Sequence, residues 1–515
     1  MHRARTASRP AAALVGLLAG AVALAVGELV AGLLGGSSPV VSVGDAAIDR
    51  VPSGVKDLAI DLFGTNDKVA LVVGILLVLA TFAAVVGLAA TRHPAVGAAG
   101  IGLFGVVGAL ASRTDSSSEA FLVDVTPSVV GALAGIGLLL AGRRAPQGPL
   151  ERAPEGRPAL LARRQFLGLA AVTAAAAGGL GSAGRWLQAQ ASAASSRAAV
   201  VLPRAVRRLG PVPAGADLGV DGVVPFVTPN RDFYRIDTAL VVPQVRTEGW
   251  TLRIHGMVDR ELELTYDDLL ARDLVEADIT MTCVSNEVGG GLLGNARWLG
   301  ARLDELLREA GVRRGATQLV PRSVDGYAAG FPTEVAMDGR EAIVAVGMNG
   351  EPLPLDHGFP ARLVVPGLYG YVSATKWLTE IELTTLDAFD SYWVGRGWAK
   401  EAPIKTSCRI DTPRGLARLR PGRVPVAGVA WAQGRGIRAV EVRVDEGPWA
   451  PARLATAVGD DTWRQWVYEW DAGPGTHSLQ ARATDGTGAL QVEEREAPIP
   501  EGATGWHTVQ VTVSR

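Results

Sequence analysis

Cysteine is the scarcest reactive residue in this chain, with only Cys283 and Cys408 among 515 residues. A disulfide-dense scaffold is excluded, and so is any zinc or iron–sulfur site that draws four cysteines from one chain. No Cys-x-x-Cys-His run occurs, and of the six histidines only His93 lies near a hydrophobic segment, which leaves no pair for a bis-histidine haem. The chain therefore offers no ligand set for a haem or an iron–sulfur cluster, and no flavin site is visible. A long basic run interleaved with aromatics is also missing, and the formal net charge is −2, so no nucleic-acid partner is expected.

What the chain has in quantity is apolar sequence, 48% of its residues, concentrated before about residue 190. Four stretches near 11–34, 69–91, 94–112 and 125–142, and an Ala/Gly-rich fifth at 166–187, approach the roughly 17–25 helical residues that cross a bilayer. Cytoplasmic loops retain arginine and lysine. With five spans, the basic start (Arg3, Arg5, Arg9) is inside, and 36–67 with Asp45, Asp49, Asp57, Asp61 and Asp67 is outside. Arg92 falls inside and 113–124 outside; 143–164, with Arg143, Arg144, Arg152, Arg157, Arg163 and Arg164, falls inside again. Everything after about residue 190 is then expected on the extracytoplasmic side. Arg163-Arg164-Gln165-Phe166-Leu167 before an apolar run also reads as an internal twin-arginine export signal or as an ordinary positive flank. Glu28 sits inside the first span, where it is either a functional group or a helix–helix hydrogen-bonding one.

The expected organisation is multidomain: a transmembrane helical region at 1–190, a linker at 191–219, an α+β domain at 220–400 and a β-sandwich at 401–515. The linker is Ser/Ala-rich and then marked by Pro203, Pro211 and Pro213. In the α+β part, β-rich runs (250–255, 318–321, 342–346, 363–365) alternate with helical patterns at 265–272 and 301–311. Beyond 405, alternating runs separated by Gly, Pro and Asp read as a sandwich packed by Trp431, Trp449, Trp463, Trp466 and Trp470.

Thr280-Met281-Thr282-Cys283-Val284-Ser285-Asn286-Glu287-Val288-Gly289-Gly290-Gly291 places a lone cysteine at the end of an apolar run, just before polar and glycine residues. A thiolate there is a soft donor for a redox metal, and glycines let backbone N–H groups approach an anion. The same pattern also suits a small buried hydrophobe. Cys408 opens a predicted strand and reads as core.

Cys283-Val284-Ser285-Asn286-Glu287 followed by Gly294-Asn295-Ala296-Arg297-Trp298-Leu299-Gly300 resembles the molybdenum-site segment of the sulfite oxidase family. Upstream, Thr228-Pro229-Asn230-Arg231-Asp232-Phe233-Tyr234 resembles that family's first pterin-binding loop. Downstream, Asp356-His357-Gly358-Phe359-Pro360-Ala361-Arg362 and Ser373-Ala374-Thr375-Lys376-Trp377 resemble the loop that holds the pterin phosphate and its neighbour. The resemblance covers roughly 220–513. It implies a molybdenum–molybdopterin cofactor with Cys283 as metal ligand. The contacts it implies are Asn230, Phe233, Tyr234, Ser323, His357, Arg362, Ser373, Thr375 and Lys376, and it implies an immunoglobulin-like dimerisation domain over 405–513. Two departures bear on substrate. Pro229 stands where sulfite oxidases have an anion-binding arginine, leaving Arg231, Arg297 or Arg396 to hold an anionic substrate. Trp398 aligns with the family's active-site tyrosine.

These features lead to the expectation of a cytoplasmic-membrane, multi-pass oxidoreductase with Cys283, Arg231 and Trp398 at its catalytic centre. It would transfer an oxygen atom to or from a small, sulfur-containing substrate and exchange electrons with a separate cytochrome or quinone-linked membrane protein. The alternatives are an envelope interaction protein that keeps the fold without catalysis, and a transporter or sensor built on the helices.

Overall fold

The structure is a computed structural model, and it describes every residue except 1–8, 35–37, 51–66, 113–120, 145–159, 191–192, 240 and 515. It divides into two compact units, Met1–Ser195 with Ala239–Val242, and Ser196–Thr238 with Pro243–Arg515.

The first unit is helical: α1 (Arg9–Leu34), α2 (Pro39–Arg50), α3 (Asp67–Ala90), α4 (Pro94–Ala111), α5 (Phe121–Arg144) and α6 (Leu160–Gln190), followed by the short α7 (Ala193–Ala199). Three segments, Arg9–Leu34, Val73–Ala90 and Pro94–Ala111, are long and apolar enough to cross a membrane. The fourth expected span lies in α5, whose apolar stretch Val125–Ala141 is shorter and contains Pro127. The fifth lies in the longer α6 and is not among those three segments. The expected loop 36–67 differs from the structure, because part of it forms α2. Asp57, Asp61 and the greater part of 143–164 lie outside the described residues, as does 113–120 of the expected outer loop. Small residues let the helices touch: a Cβ on Gly16 of α1 would stand 2.1 Å from the Ala83 carbonyl oxygen of α3. Glu28 is buried and accepts a hydrogen bond from Ser38 Oγ, the partner that its place in an apolar helix demands.

The second unit begins in the expected linker, which is not a free spacer. Arg197 donates to the carbonyls of Leu353 (2.8 Å) and Pro352 (2.7 Å), and Val206 N–H donates to Leu274 O at 2.8 Å. These bonds lay the segment along the α+β domain; prolines remove N–H donors but leave carbonyls and side chains free to pair.

The α+β domain carries two sheets. One has the order β2-β1-β10-β5-β6, from β1 (Thr251–Gly256), β2 (Leu262–Thr265), β5 (Gln318–Ser323), β6 (Phe331–Pro332) and β10 (Leu378–Thr384), with β1 and β10 parallel. The other has the order β3-β4-β7-β8, from β3 (Leu274–Thr282), β4 (Leu293–Arg302), β7 (Ile343–Met348) and β8 (Glu351–Pro352), with β9 (Arg362–Val364) paired to β7. The predicted helices become α8 (Tyr266–Leu270) and α9 (Leu303–Ala310), with α10 (Thr333–Met337) and α11 (Gly370–Ser373) besides. Thr265 starts α8 with a reciprocal capping box to Asp268, a device that contributes about 1 kcal/mol. Gly311, in the left-handed region at φ +71°, ends α9.

The C-terminal part is two packed antiparallel-rich sheets. Its strands are β11 (Ser407–Thr412), β12 (Arg418–Leu419), β13 (Gly422–Trp431), β14 (Ile437–Val444), β15 (Ala450–Pro451), β16 (Arg453–Leu454), β17 (Arg464–Ala472), β18 (Gly475–Asp485) and β19 (His507–Val513). They order as β11-β13-β17-β16 and β12-β19-β18-β14-β15. The five tryptophans do not all pack this sandwich. Trp466 and Trp470 do, together with Cys408 and Val511, but Trp431 and Trp463 join the core of the α+β domain. The reason is the period of two along a strand: opposite faces of the β13-β17 sheet meet different partners. Trp449 is half-buried and packs edge-on to Trp506, with Arg443 and Arg482 over the rings.

Candidate active site

The β3-β4 hairpin, with Leu274 paired to Ala301 and Thr282 to Leu293, carries Cys283 at the start of its connecting turn. Cys283 N–H donates to Leu292 O at 2.9 Å, and Leu292 N–H donates to Asn286 Oδ1 at 2.8 Å. The turn is thus closed by its own polar groups, which leaves the sulfur to face a cleft.

That cleft holds about 730 Å³ of unfilled space open to solvent, and its walls include Cys283, Phe233, Tyr234, Ser323, His357, Arg362 and Lys376. Seven of the residues expected from the sequence therefore converge. Gly358 makes the convergence possible: at φ +105°, a Cβ there would stand 3.0 Å from Lys376 Cβ and 3.1 Å from Arg362 Cβ.

Arg362 is the most informative of these residues. It is 5% exposed, no carboxylate pairs with it among the described residues, and its guanidinium donates to backbone carbonyls, those of His357 and Ala374 at 3.2 Å and that of Leu363 at 3.5 Å. Burial lowers its pKa to about 10. A guanidinium held this way against its own desolvation invites an anion. Lys376 is lowered to about 8 by burial, although Asp237, at 2.7 Å from its ammonium, works in the opposite direction. His357 is pushed down by burial, so it remains neutral near pH 7, with Nε2 at 3.0 Å from Asn230 O. Burial pushes the Cys283 thiol up, while Ser285 and the Lys376 charge pull it down.

Other expected contacts lie elsewhere. Asn230 is not on the cleft wall; its side chain donates to Glu351 Oε1 at 2.5 Å and accepts from Asn349 Nδ2 at 2.8 Å, fixing the turn before Phe233. Ser373 Oγ is committed to Tyr369 O at 3.0 Å. Thr375 Oγ1 is buried with no hydrogen-bond partner among the described residues.

The candidate substrate arginines are not brought to the cleft. Arg231 is 86% exposed beside Asp232, because Pro229 starts a short turn that carries it outward. Arg297 is held by Asp278 at 2.8 Å, and Arg396 is exposed over the Tyr392 ring. Trp398 is not on the wall either; it packs beside Tyr371, and Trp393 lines the cleft instead. Sequence reasoning also missed Met281, Asp237, Asp325, Tyr327, Tyr371 and Trp377 as wall residues. Tyr327 lies four residues after Ser323 and Trp393 five residues before Trp398, so nearness to those residues was the available signal. Asp237 had none.

Residues 239–393 match the oxidoreductase molybdopterin binding domain, which gives the class: a molybdopterin-binding oxidoreductase. The chain is 31% identical over 326 residues to mitochondrial sulfite oxidase of Drosophila melanogaster, covering 53% of this chain and 56% of that protein. Against the Homo sapiens enzyme it is 30% identical, covering 56% of this chain and 62% of that one. It also resembles the crystal structure of the sulfane dehydrogenase SoxCD from Paracoccus pantotrophus, with a TM-score of 0.50 and 20% identity over 72% of this chain and 95% of that one, a likeness of fold. Over the region compared, the chain is similar to the sulfite oxidase family of molybdopterin oxidoreductases. It spans less than two thirds of the length of these two sulfite oxidases.

Proposed function

We propose that this protein is a membrane-anchored molybdopterin oxidoreductase that moves an oxygen atom to or from a small, sulfur-containing substrate outside the cytoplasmic membrane. The observation that carries the reading is Cys283 on the same cleft wall as the buried cations Arg362 and Lys376. These residues fit the group: a soft donor for the metal at one place, a buried guanidinium without a carboxylate for the pterin phosphate at another, and the unpartnered Thr375 hydroxyl in the same segment as Lys376. Bound molybdopterin would supply the two-electron redox chemistry. Cys283 would hold the metal; Arg362, Lys376 and His357 would hold the pterin and its phosphate, with Phe233 and Tyr234 walling the cleft. In the oxidising direction, substrate and water yield the oxygenated product, two protons and two electrons; reduction is the reverse. The electrons pass to or from a separate cytochrome or quinone-linked membrane protein.

The walls bear on the substrate. The arginines once assigned to an anion lie off the cleft, and the wall residues besides the expected cofactor contacts include the aromatic Tyr327, Tyr371, Trp377 and Trp393 and the carboxylates Asp237 and Asp325. A neutral sulfur compound such as a sulfoxide suits them better than sulfite. The membrane role proposed for the first unit is anchorage by five spans, with the arginine-rich segments on the cytoplasmic side. The sandwich is read as immunoglobulin-like and as the surface for a homodimer.

The test is to purify the full chain from cells that make the cofactor, quantify molybdenum and released pterin, and assay sulfite and a neutral sulfoxide. The expected result is about one molybdenum per chain and turnover of the sulfoxide over sulfite. Protein that contains neither metal nor pterin would sink the reading.

A further inference from the structure

The segment that carries Cys283 is held on both sides by the C-terminal sandwich. Before the cysteine, Gln433 Nε2 donates to Thr280 O at 2.9 Å and to Thr282 Oγ1 at 3.2 Å. Trp463 N–H donates to Thr280 Oγ1 at 2.7 Å, and Thr280 N–H donates to Asp461 O at 2.9 Å. After the cysteine, Arg409 donates to Gly290 O at 2.8 Å while its Nε is fixed by Asp411 at 2.5 Å. The His507 ring lies against Gly289, where a Cβ would stand 2.3 Å from Nε2. That ring is itself oriented, because its Nδ1 accepts from Ile410 N–H at 3.0 Å. Gln433 and Arg409 are both buried, so solvent offers little replacement for these bonds.

We infer that Arg409, Gln433 and His507 are positioning residues for the Cys283 sulfur, so that the sandwich is part of the active-site scaffold as well as a contact domain. This rests on the reading of Cys283 as a metal ligand. A donor atom is useful only if its direction is fixed before the metal arrives, and second-sphere hydrogen bonds are the usual means of fixing it. Within the turn, the fixed points are Cys283 N–H on Leu292 O, Asn286 N–H on Cys283 O at 3.1 Å, and Asn286 Oδ1. The sandwich supplies the others, on Thr280 and Thr282 before the turn and on Gly289 and Gly290 within it.

The test uses the full chain with Arg409→Met, Gln433→Met and the conservative Arg409→Lys, and with Arg443→Met, which lies over Trp449, as control. Amide hydrogen exchange of 283–292 is read first. Both methionine variants should raise it on the order of tenfold, as expected for loss of a charge-assisted or buried hydrogen bond, and Arg409→Lys should restore part of the protection. The control should leave it unchanged. In loaded protein, the visible absorption and midpoint potential of the metal–thiolate centre should shift in the methionine variants and not in the control. Unchanged exchange and an unchanged spectrum would overturn the inference, as would equal loosening of the whole chain. Wild type without molybdenum but with the selective exchange effect would sink the functional reading and leave the scaffold role standing. Should Arg409→Met not fold, Gln433→Met alone decides.

Discussion

The two cysteines lie at strand ends in two different regions, and both are buried and free, Cys283 at 7% exposed and Cys408 at 2%. Cys408 opens β11 inside the sandwich, packed among Val426, Trp466 and Val511, and burial pushes its thiol up with Asp411 nearby adding to the effect. Cys283 follows β3 at a cleft where Lys376 pulls its thiol down against burial. Burial therefore does not tell the two sulfurs apart. Each has a cation nearby, Lys376 for Cys283 and Arg409 for Cys408, so what separates them is the opening on one side of Cys283.

The comparison can be broken most directly by substitution. Cys283→Ser should reduce bound molybdenum below about a tenth of wild type and lower turnover at least on the order of a hundredfold, while Cys408→Ala should leave both unchanged, as metal analysis and steady-state assay would show. Retention of full metal by Cys283→Ser would remove the distinction. Arg362→Met should weaken pterin retention by roughly 10- to 100-fold, the loss expected for a charge-assisted contact with phosphate, measured as pterin released after gel filtration.

Smaller effects sharpen the contrast in stability. Cys408→Ala should lower unfolding free energy by about 1–2 kcal/mol through lost packing, visible in urea denaturation. At the seam between the two regions, burial raises Asp461 to about 6 from its ordinary value of 3.8. The folded state then binds more protons than the unfolded state between those values, so this group's contribution falls as pH rises from about 4 through about 6. Asp461→Asn should therefore stabilise the protein at pH 7 by about 1 kcal/mol and lose that advantage near pH 4. An equal gain at both pH values would show that the carboxylate charge is not the cause.

Much of the soluble fold was legible because strand and helix periods survive in local sequence. The run expected at 318–321 lies in β5, that at 342–346 overlaps β7, and the helical pattern at 301–311 contains α9. The helical segments near the N-terminus were legible by length and hydropathy, though α2 within the expected loop was not. The tryptophans show the limit: alternation predicts that Trp463 and Trp466 are covered, but not that they enter different cores. At the cleft, motifs with fixed local spacing located Cys283, His357, Arg362 and Lys376. Trp398 and Arg231 lie off the cleft wall because a loop's direction depends on what it packs against. Arg231 extends from the short turn 230–232 into solvent, and Trp398 closes on Tyr371.

By itself, the sequence determined the chemical inventory: one candidate thiolate with a glycine-rich turn after it, cations in two later loops, and enough apolar helix to reach a membrane. It could do so because those properties belong to residues and to their near neighbours. Only the tertiary structure decided that Asp237 meets Lys376, that no carboxylate meets Arg362 among the described residues, and that Arg409 and Gln433 brace the cysteine turn from more than a hundred residues away. Such pairings depend on how sheets stack, a long-range outcome of burying many side chains together, and no local period encodes it.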